Sequence, residues 1–187
     1  MIPSLSEIIA TGRKAAKGAG YSWGQADEVG RATAWLWEHG IDSITPLAEL
    51  LDYGTPKTCP IRMGTQLCDA PQHSMQSAEK IQSPILLLFF TGELGKITNS
   101  TVKLTIGEAI YFTTPEAIFI AQSGTEGAIT ITCNAGVPNG LQLSPQPRRT
   151  VPKEAWSRLE HWEHKTYAPA SEKSRLAGAG AGLSDND

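Results

Sequence analysis

The feature that most constrains the fold of this 187-residue chain is a change in the spacing of its apolar residues. Up to residue 54, apolar side chains recur every three to four positions, the period of an amphipathic helix. From residue 84 onwards, short runs rich in β-branched and aromatic residues are separated by glycine and proline. The change predicts an α+β fold with helices first and a sheet after them, in a single domain that spans residues 1–187.

Two capping boxes mark the starts of the first two helices. Ser4 is followed three residues later by Glu7, and Ser22 is followed three residues later by Gln25. In this pattern the two side chains satisfy backbone amides that a helix start leaves without partners. The sequence therefore predicts two adjacent helices at the start of the chain, and a third across residues 45–54, which begins near a proline and ends at a glycine.

A central antiparallel sheet is predicted for the middle of the chain. Six short runs have the composition of strands: 85–90, 100–105, 109–113, 118–122, 128–133 and 141–143. The connections between these runs are short, which favours antiparallel neighbours. The run 85–90 is apolar throughout and is expected in the middle of a sheet of five to seven strands, because a strand covered on both faces carries no polar positions.

Less regular segments flank this β-rich region, which covers residues 84–144. Residues 55–83 follow neither period and are expected to form an irregular link. Pro152 opens a helix in the C-terminal part, residues 150–187, and this helix is expected to pack Trp156 and Trp162 near the first helices. A tail rich in glycine and alanine follows it.

Composition and charge exclude several classes of partner. The net charge is -3 and no stripe of basic and aromatic residues is present, so no nucleic acid is expected to bind. The longest apolar stretch, residues 84–90, is too short to cross a bilayer, and the first residues lack the layout of a secretory signal. Three cysteines without a closely spaced pair indicate reduced thiols. The sequence thus predicts a cytoplasmic protein without a membrane partner.

The possible metal ligands have poor spacing. Cys59 and Cys68 are separated by eight residues, with His73 farther along, which does not match the close cysteine pairs of structural zinc sites. The histidines and glutamate of residues 161–164 fit the exposed face of a helix equally well. We therefore expect no bound metal, and the sequence indicates no particular cofactor.

The turn between the first two helices is one candidate binding site. Tyr21, Ser22 and Trp23 place a phenol, a hydroxyl and an indole beside the free amides of a helix start, between two glycines. Such a start can bind a small carboxylate or phosphate. The alternative is a tight turn in which Ser22 only caps the helix and Trp23 belongs to the core.

The end of the sequence is a second candidate. Glycine and alanine alternate over residues 178–182, and Asp185, Asn186 and Asp187 follow. In the site hypothesis, Asp185 and Asp187 are acid–base groups, while Arg175 and Asn186 bind the ligand. The tail is then expected to dock near the turn between the first two helices. A frayed terminus is the alternative, and two carboxylates spaced in this way also suit a divalent cation.

Two segments carry a resemblance to a known family. They are residues 15–24 with Glu28, and residues 166–171 with 175–176 and the closing glycine and alanine track. Through them the chain resembles a bacterial family catalogued as a domain of unknown function, with members of similar length. The resemblance covers the whole chain, is most specific at its two ends and implies no established activity.

Two functional hypotheses follow from these features. In the first, the protein is a small metabolic enzyme or enzyme subunit that binds a small anionic metabolite. In the second, it is a noncatalytic binding or assembly protein of a homo-oligomer, whose C-terminal tail clasps a neighbouring protomer. The clustering of hydroxyl, aromatic, arginine and carboxylate groups in glycine-rich segments favours the first.

Overall fold

The computed structural model describes residues 1–55, 57–71, 74–77, 80–124 and 127–166. Within these ranges the chain has an α+β fold, as the spacing of the apolar residues predicts. The helices are α1 (Leu5–Gly18), α2 (Trp23–Glu38), α3 (Ile44–Tyr53), α4 (Pro60–Asp69), α5 (Leu87–Thr98) and α6 (Lys153–His164). The strands are β1 (Ser74–Ser77), β2 (Val102–Ile106), β3 (Ala109–Thr113), β4 (Ile118–Gln122), β5 (Ile129–Cys133) and β6 (Leu141–Leu143).

Both predicted capping boxes are present. The Ser4 side chain accepts a hydrogen bond from the Glu7 amide at 3.2 Å, and the Glu7 carboxylate accepts one from the Ser4 amide at 2.7 Å. Ser22 and Gln25 make the same reciprocal pair at the start of α2. These side chains fix where the first two helices begin, so the turn between them is short and well defined.

Small residues allow α1 to approach its neighbours closely. A Cβ atom added to Gly30 of α2 would lie 2.6 Å from the carbonyl oxygen of Ile9 in α1. A Cβ atom on Gly18 would overlap the carbonyl oxygen of Trp162 in α6. The small-residue face of α1 therefore packs against the backbones of α2 and α6.

Within the described residues the sheet has six antiparallel strands in the order β1-β5-β2-β3-β4-β6. Strands β2, β3 and β4 form a meander, and β5 returns to the other side of β2. Leu104 in β2 lies opposite Tyr111 in β3 and Ile131 in β5. Leu104 and Ile131 are buried on the face that α5 covers, whereas Lys103 and Thr105 on the other face are partly exposed. The predicted alternation of β2 is confirmed.

The predicted central strand at residues 85–90 is wrong. These residues form a short 3-10 helix, Pro84–Leu86, followed by the first turn of α5. Leu87, Leu88 and Phe90 are all buried, and a short run that is apolar on every side fits a buried helix as well as a buried strand. Strand β1 supplies the sixth position in the sheet by pairing with β5.

The expectation of an irregular link across residues 55–83 is also wrong in part, because the link contains α4 and β1. Pro60 occupies the first turn of α4, and Ile61, Gly64 and Leu67 recur at helical spacing on its buried face. The ring of Phe90 occupies the space that a side chain at Gly64 would fill. The central position of this period is a glycine without an apolar side chain, so the pattern is difficult to recognise in the sequence.

The predicted C-terminal helix is α6, and it packs against α1 and α3 as expected. Trp156 and Leu159 are buried, and Trp162 is half-buried against the core. One cluster of buried apolar side chains joins the helices to the covered face of the sheet. The glycine and alanine tail lies outside the described residues.

Candidate functional site

A cleft of about 300 Å³ lies where the ends of α1 and α3 meet the starts of α2 and α4. It is lined by residues 19–21, Gln25, Gly54, Thr55, Cys59 and Arg62. These residues come from four different elements, so only the folded chain brings them together. None of the described residues that line the cleft carries a carboxylate.

Tyr21 is placed in the cleft by the turn between α1 and α2. Gly20 adopts a φ of 100°, a conformation that favours glycine, and the Tyr21 amide donates to the Ala16 carbonyl at 3.1 Å. The Tyr21 hydroxyl lies 3.2 Å from the Cys59 sulfur and hydrogen-bonds to it. Burial raises the pKa of Tyr21, and the hydrogen bond to Cys59 raises it further. The phenol is therefore neutral at physiological pH and able to donate or accept.

Cys59 occupies the N-terminal cap position of α4. Its side chain makes no capping hydrogen bond, and the residue is only 4% exposed. The first amide that bonds within α4 is that of Met63, which donates to the Cys59 carbonyl at 3.2 Å. The amides of Ile61 and Arg62 lie ahead of it and have no acceptor within the helix. The cleft wall thus combines a thiol with the positive end of a helix.

Arg62 and Gln25 supply polar groups without partners. The Arg62 guanidinium is exposed and forms no hydrogen bond or ion pair with any residue that the structure describes. Arg13, by contrast, forms an ion pair with Asp27, with 2.7 Å between its Nε and the carboxylate oxygen. The Gln25 carbonyl oxygen accepts from Ser22, while its amide nitrogen has no acceptor among the described residues. The cleft therefore presents several donors and one uncompensated positive charge.

The structure separates the three residues that the sequence proposes in this turn. Tyr21 lines the cleft, whereas the Ser22 hydroxyl is occupied as the cap of α2. Trp23 is 52% exposed and lies between Arg13 and Lys17, each 5.3 Å from its ring centroid. Trp23 is thus neither in the core, as the alternative expected, nor among the residues that line the cleft.

The remaining proposed residues, Arg175, Asp185, Asn186 and Asp187, lie outside the described residues. Two of the basic residues near the first turn already have partners. Besides the pair formed by Arg13, Lys14 lies 2.9 Å from Glu163 of α6. These charges are therefore largely compensated within the described structure.

Sequence reasoning did not propose Cys59 or Arg62 as ligand-binding residues, and proposed Gln25 only as a cap. No local pattern distinguishes Arg62 from any other surface arginine, because its importance comes from the position of α4 beside the α1–α2 turn. The only available signal is Pro60, which marks the start of a helix whose first amides are free. A helix predicted there would have placed Cys59 and Arg62 at its start.

Among the described residues, those considered as metal ligands form no group of three that could hold an ion. The Cys68 thiol donates a hydrogen bond to the Phe90 carbonyl at 3.5 Å, and burial raises the pKa of Cys68 to about 11. His73 lies outside the described residues. Among the described residues, no group of three histidine, cysteine or acidic side chains is positioned to hold a metal ion. No described helix is long and apolar enough to cross a membrane.

The N-terminal part of the chain matches the model of a known protein family. Residues 3–84 match the model of a family described as a protein of unknown function (DUF3726). The resemblance to a catalogued domain of unknown function is confirmed over these residues, which comprise α1 to α4 and β1. Every described residue that lines the cleft falls within the match, while the C-terminal segments of the resemblance lie beyond it. No curated protein and no solved structure matches the chain.

Proposed function

We propose that this protein binds a small anionic metabolite in the cleft, as a small metabolic enzyme or enzyme subunit. The observation that carries the proposal is the Arg62 guanidinium, which faces the cleft region without a carboxylate partner among the described residues. An arginine in this state binds carboxylate or phosphate through two parallel hydrogen bonds. The family match supports the choice of site, because it contains all the described lining residues.

Each neighbouring group adds a donor for the same kind of ligand. The Gln25 amide nitrogen and the neutral Tyr21 hydroxyl donate to oxygen atoms, and the first amides of α4 favour negative charge. A cleft of about 300 Å³ is at the lower limit of small-molecule sites, which favours a compact metabolite. Cys59 adds a thiol to the wall of the cleft, hydrogen-bonded to the Tyr21 hydroxyl.

A cytoplasmic location belongs to the same proposal. No disulfide joins the three cysteines, and Cys59 and Cys133 are buried. Reduced thiols are the usual state of cysteine in the cytoplasm, where glutathione and thioredoxin maintain them. A cleft that depends on the thiol of Cys59 suits such a compartment.

The proposal is tested by alkylating Cys59 with two reagents that differ in charge. Iodoacetate carries a carboxylate, whereas iodoacetamide is neutral and nearly the same size. Mass spectrometry of the peptide that contains Cys59 gives the rate with iodoacetate divided by the rate with iodoacetamide. This ratio should fall about tenfold in Arg62→Gln, the loss expected for one charged hydrogen bond of about 1.4 kcal/mol. Small carboxylates and inorganic phosphate should slow the alkylation of Cys59 in the original protein.

Arg13→Gln provides the matched control, because Arg13 is paired with Asp27 and does not line the cleft. This variant should keep the rate ratio of the original protein. An equal ratio in the original protein and in Arg62→Gln, together with no protection by anions, would show that the cleft does not select for negative charge.

A further inference from the structure

One residue of α6 contacts residues next to two walls of the cleft. The indole nitrogen of Trp162 donates to the Asp52 carboxylate at 2.6 Å, two residues before Gly54 in the cleft wall. The backbone carbonyl of Trp162 lies against Gly18, which comes directly before residues 19–21 in another wall of the cleft. Trp162 therefore bridges the end of α3 and the end of α1.

The contact with α3 is reinforced by a second hydrogen bond to the same carboxylate. Arg158, one turn earlier in α6, donates from Nε to Asp52 at 2.7 Å. The Arg158 and Asp52 side chains are only 34% and 24% exposed, so water screens the pair less than it would on an open surface. Both oxygens of Asp52 are thus held by α6, which leaves the last turn of α3 little freedom to rotate.

The contact with α1 depends on the absence of a side chain at Gly18. Any Cβ atom there would overlap the Trp162 carbonyl, so the two backbones touch directly. Lys14 and Glu163 form an ion pair at 2.9 Å beside this contact. Packing of this kind resists small displacements, because backbone atoms in contact cannot approach further.

We infer that Trp162 and Asp52 are positioning residues of the cleft, since through them α6 fixes the distance between residues 19–21 and residues 54–55. The inference rests on the proposed function, which makes that distance matter for ligand binding. It assigns α6 a role in ligand binding, although none of the described α6 residues lines the cleft.

Two conservative variants test the inference. Trp162→Phe removes the indole donor but keeps a ring. Asp52→Asn keeps the shape but replaces one acceptor oxygen with an NH2 group, so one of the two hydrogen bonds is lost and the other no longer has a charged acceptor. Each should raise the rate at which neutral iodoacetamide alkylates Cys59 several-fold, because a wider cleft exposes the thiol. The protection of Cys59 by inorganic phosphate should weaken in parallel.

Controls on the same helix and in the same molecule separate positioning from loss of stability. Glu160→Gln alters the partner of Trp156, a hydrogen bond of 2.9 Å confined to α6, and should leave the Cys59 rate unchanged. Cys133 lies buried in β5, so its alkylation reports general opening of the fold. Its rate should stay constant in both variants.

The outcomes distinguish this inference from the proposed function. An unchanged Cys59 rate in both variants, or a parallel rise at Cys133, would overturn the positioning role. The neutral reagent tests that role even if Arg62 proves to have no effect on the choice between iodoacetate and iodoacetamide. If Trp162→Phe does not fold, Asp52→Asn alone decides the question.

Discussion

At the scale of single residues, the positive charge of the cleft comes from Arg62. Arg62 brings a guanidinium to the cleft, whereas burial and the hydrogen bond to Cys59 raise the pKa of Tyr21 and keep its phenol neutral. A neutral phenol beside a guanidinium can donate to an anion without adding repulsion. The protonation state of Tyr21 is therefore central to what the cleft can bind.

This protonation state is testable by tyrosine titration. Because the pKa of Tyr21 is raised, Tyr21→Phe should leave the absorbance change near pH 10 as large as in the original protein. The sign for stability follows from the same shift. The pKa of Tyr21 in the folded protein lies above the unfolded value of about 10. The neutral phenol therefore stabilises the fold fully below pH 10, and this contribution is lost as the pH rises through the folded pKa.

The alkaline unfolding midpoint should accordingly move to higher pH in Tyr21→Phe, measured by circular dichroism. Loss of one tyrosine's share of the absorbance change near pH 10 in Tyr21→Phe would mean that Tyr21 ionises near the ordinary tyrosine pKa.

Tyr21 could be proposed from the sequence, because it lies beside a recognisable capping box. Ser22 was a weaker choice at the same place, since the box that identifies it also occupies its hydroxyl. Arg62 could not be proposed in this way. It gains its role from α4 packing beside a turn far away in the chain, and local patterns contain no information about such contacts.

At the scale of helices, contact between α1 and α2 depends on glycine at the crossing. Gly30 faces the Ile9 carbonyl of α1, so a methyl group there must push the two backbones apart. Gly24, in the first turn of the same helix, faces open space. The two positions differ in packing but share the same helix.

Gly30→Ala should therefore destabilise the protein by about 1–3 kcal/mol, the usual cost of overpacking. Gly24→Ala should be neutral or stabilising by up to about 1 kcal/mol, because alanine favours helix over glycine. Urea unfolding of both variants measures the difference. Equal effects at the two positions would show that helix propensity, and not the crossing, determines them.

The success of sequence reasoning at this scale depended on local signals. α1 and α2 carry capping boxes, α3 begins near a proline and ends at a glycine, and each has a polar face that reveals its period. The start of α5 has no such face, because it lies between the other helices and the sheet and is buried all round. Its strand-like composition was therefore misleading.

At the scale of the whole molecule, α6 joins the C-terminal part of the chain to the helices at its beginning. The α+β class and the packing of Trp156 and Trp162 near the first helices were predictable, because amphipathic faces must be covered. The individual contacts that hold α6 in place were not predictable from the sequence. Asp52 is one acidic residue among many in the sequence, and only the folded structure shows that Arg158 and Trp162 both donate to it.

These contacts predict a pH-dependent contribution to global stability. Burial raises the pKa of Asp52, but the hydrogen bonds from Trp162 and Arg158 and the charge of Arg158 lower it by more, so the net shift is downward. A depressed pKa stabilises the fold above the unfolded value of about 4, and this contribution is lost as the pH falls through the folded value. Asp52→Asn should thus lower the free energy of unfolding by about 1 kcal/mol at pH 7, a modest amount because the Asp52–Arg158 pair is partly exposed. The loss should be smaller near pH 2.

Asp27→Asn is the control, because the pair of Asp27 with Arg13 is about half exposed on both sides and should contribute little at either pH. Urea unfolding at the two pH values gives both differences in the free energy of unfolding. A cost for Asp52→Asn that is the same at both pH values would mean that its hydrogen-bonding shape, and not its charge, holds α6 against α3. The Trp162 contact would then act independently of the ionisation of Asp52, and the cleft would keep its width in acid.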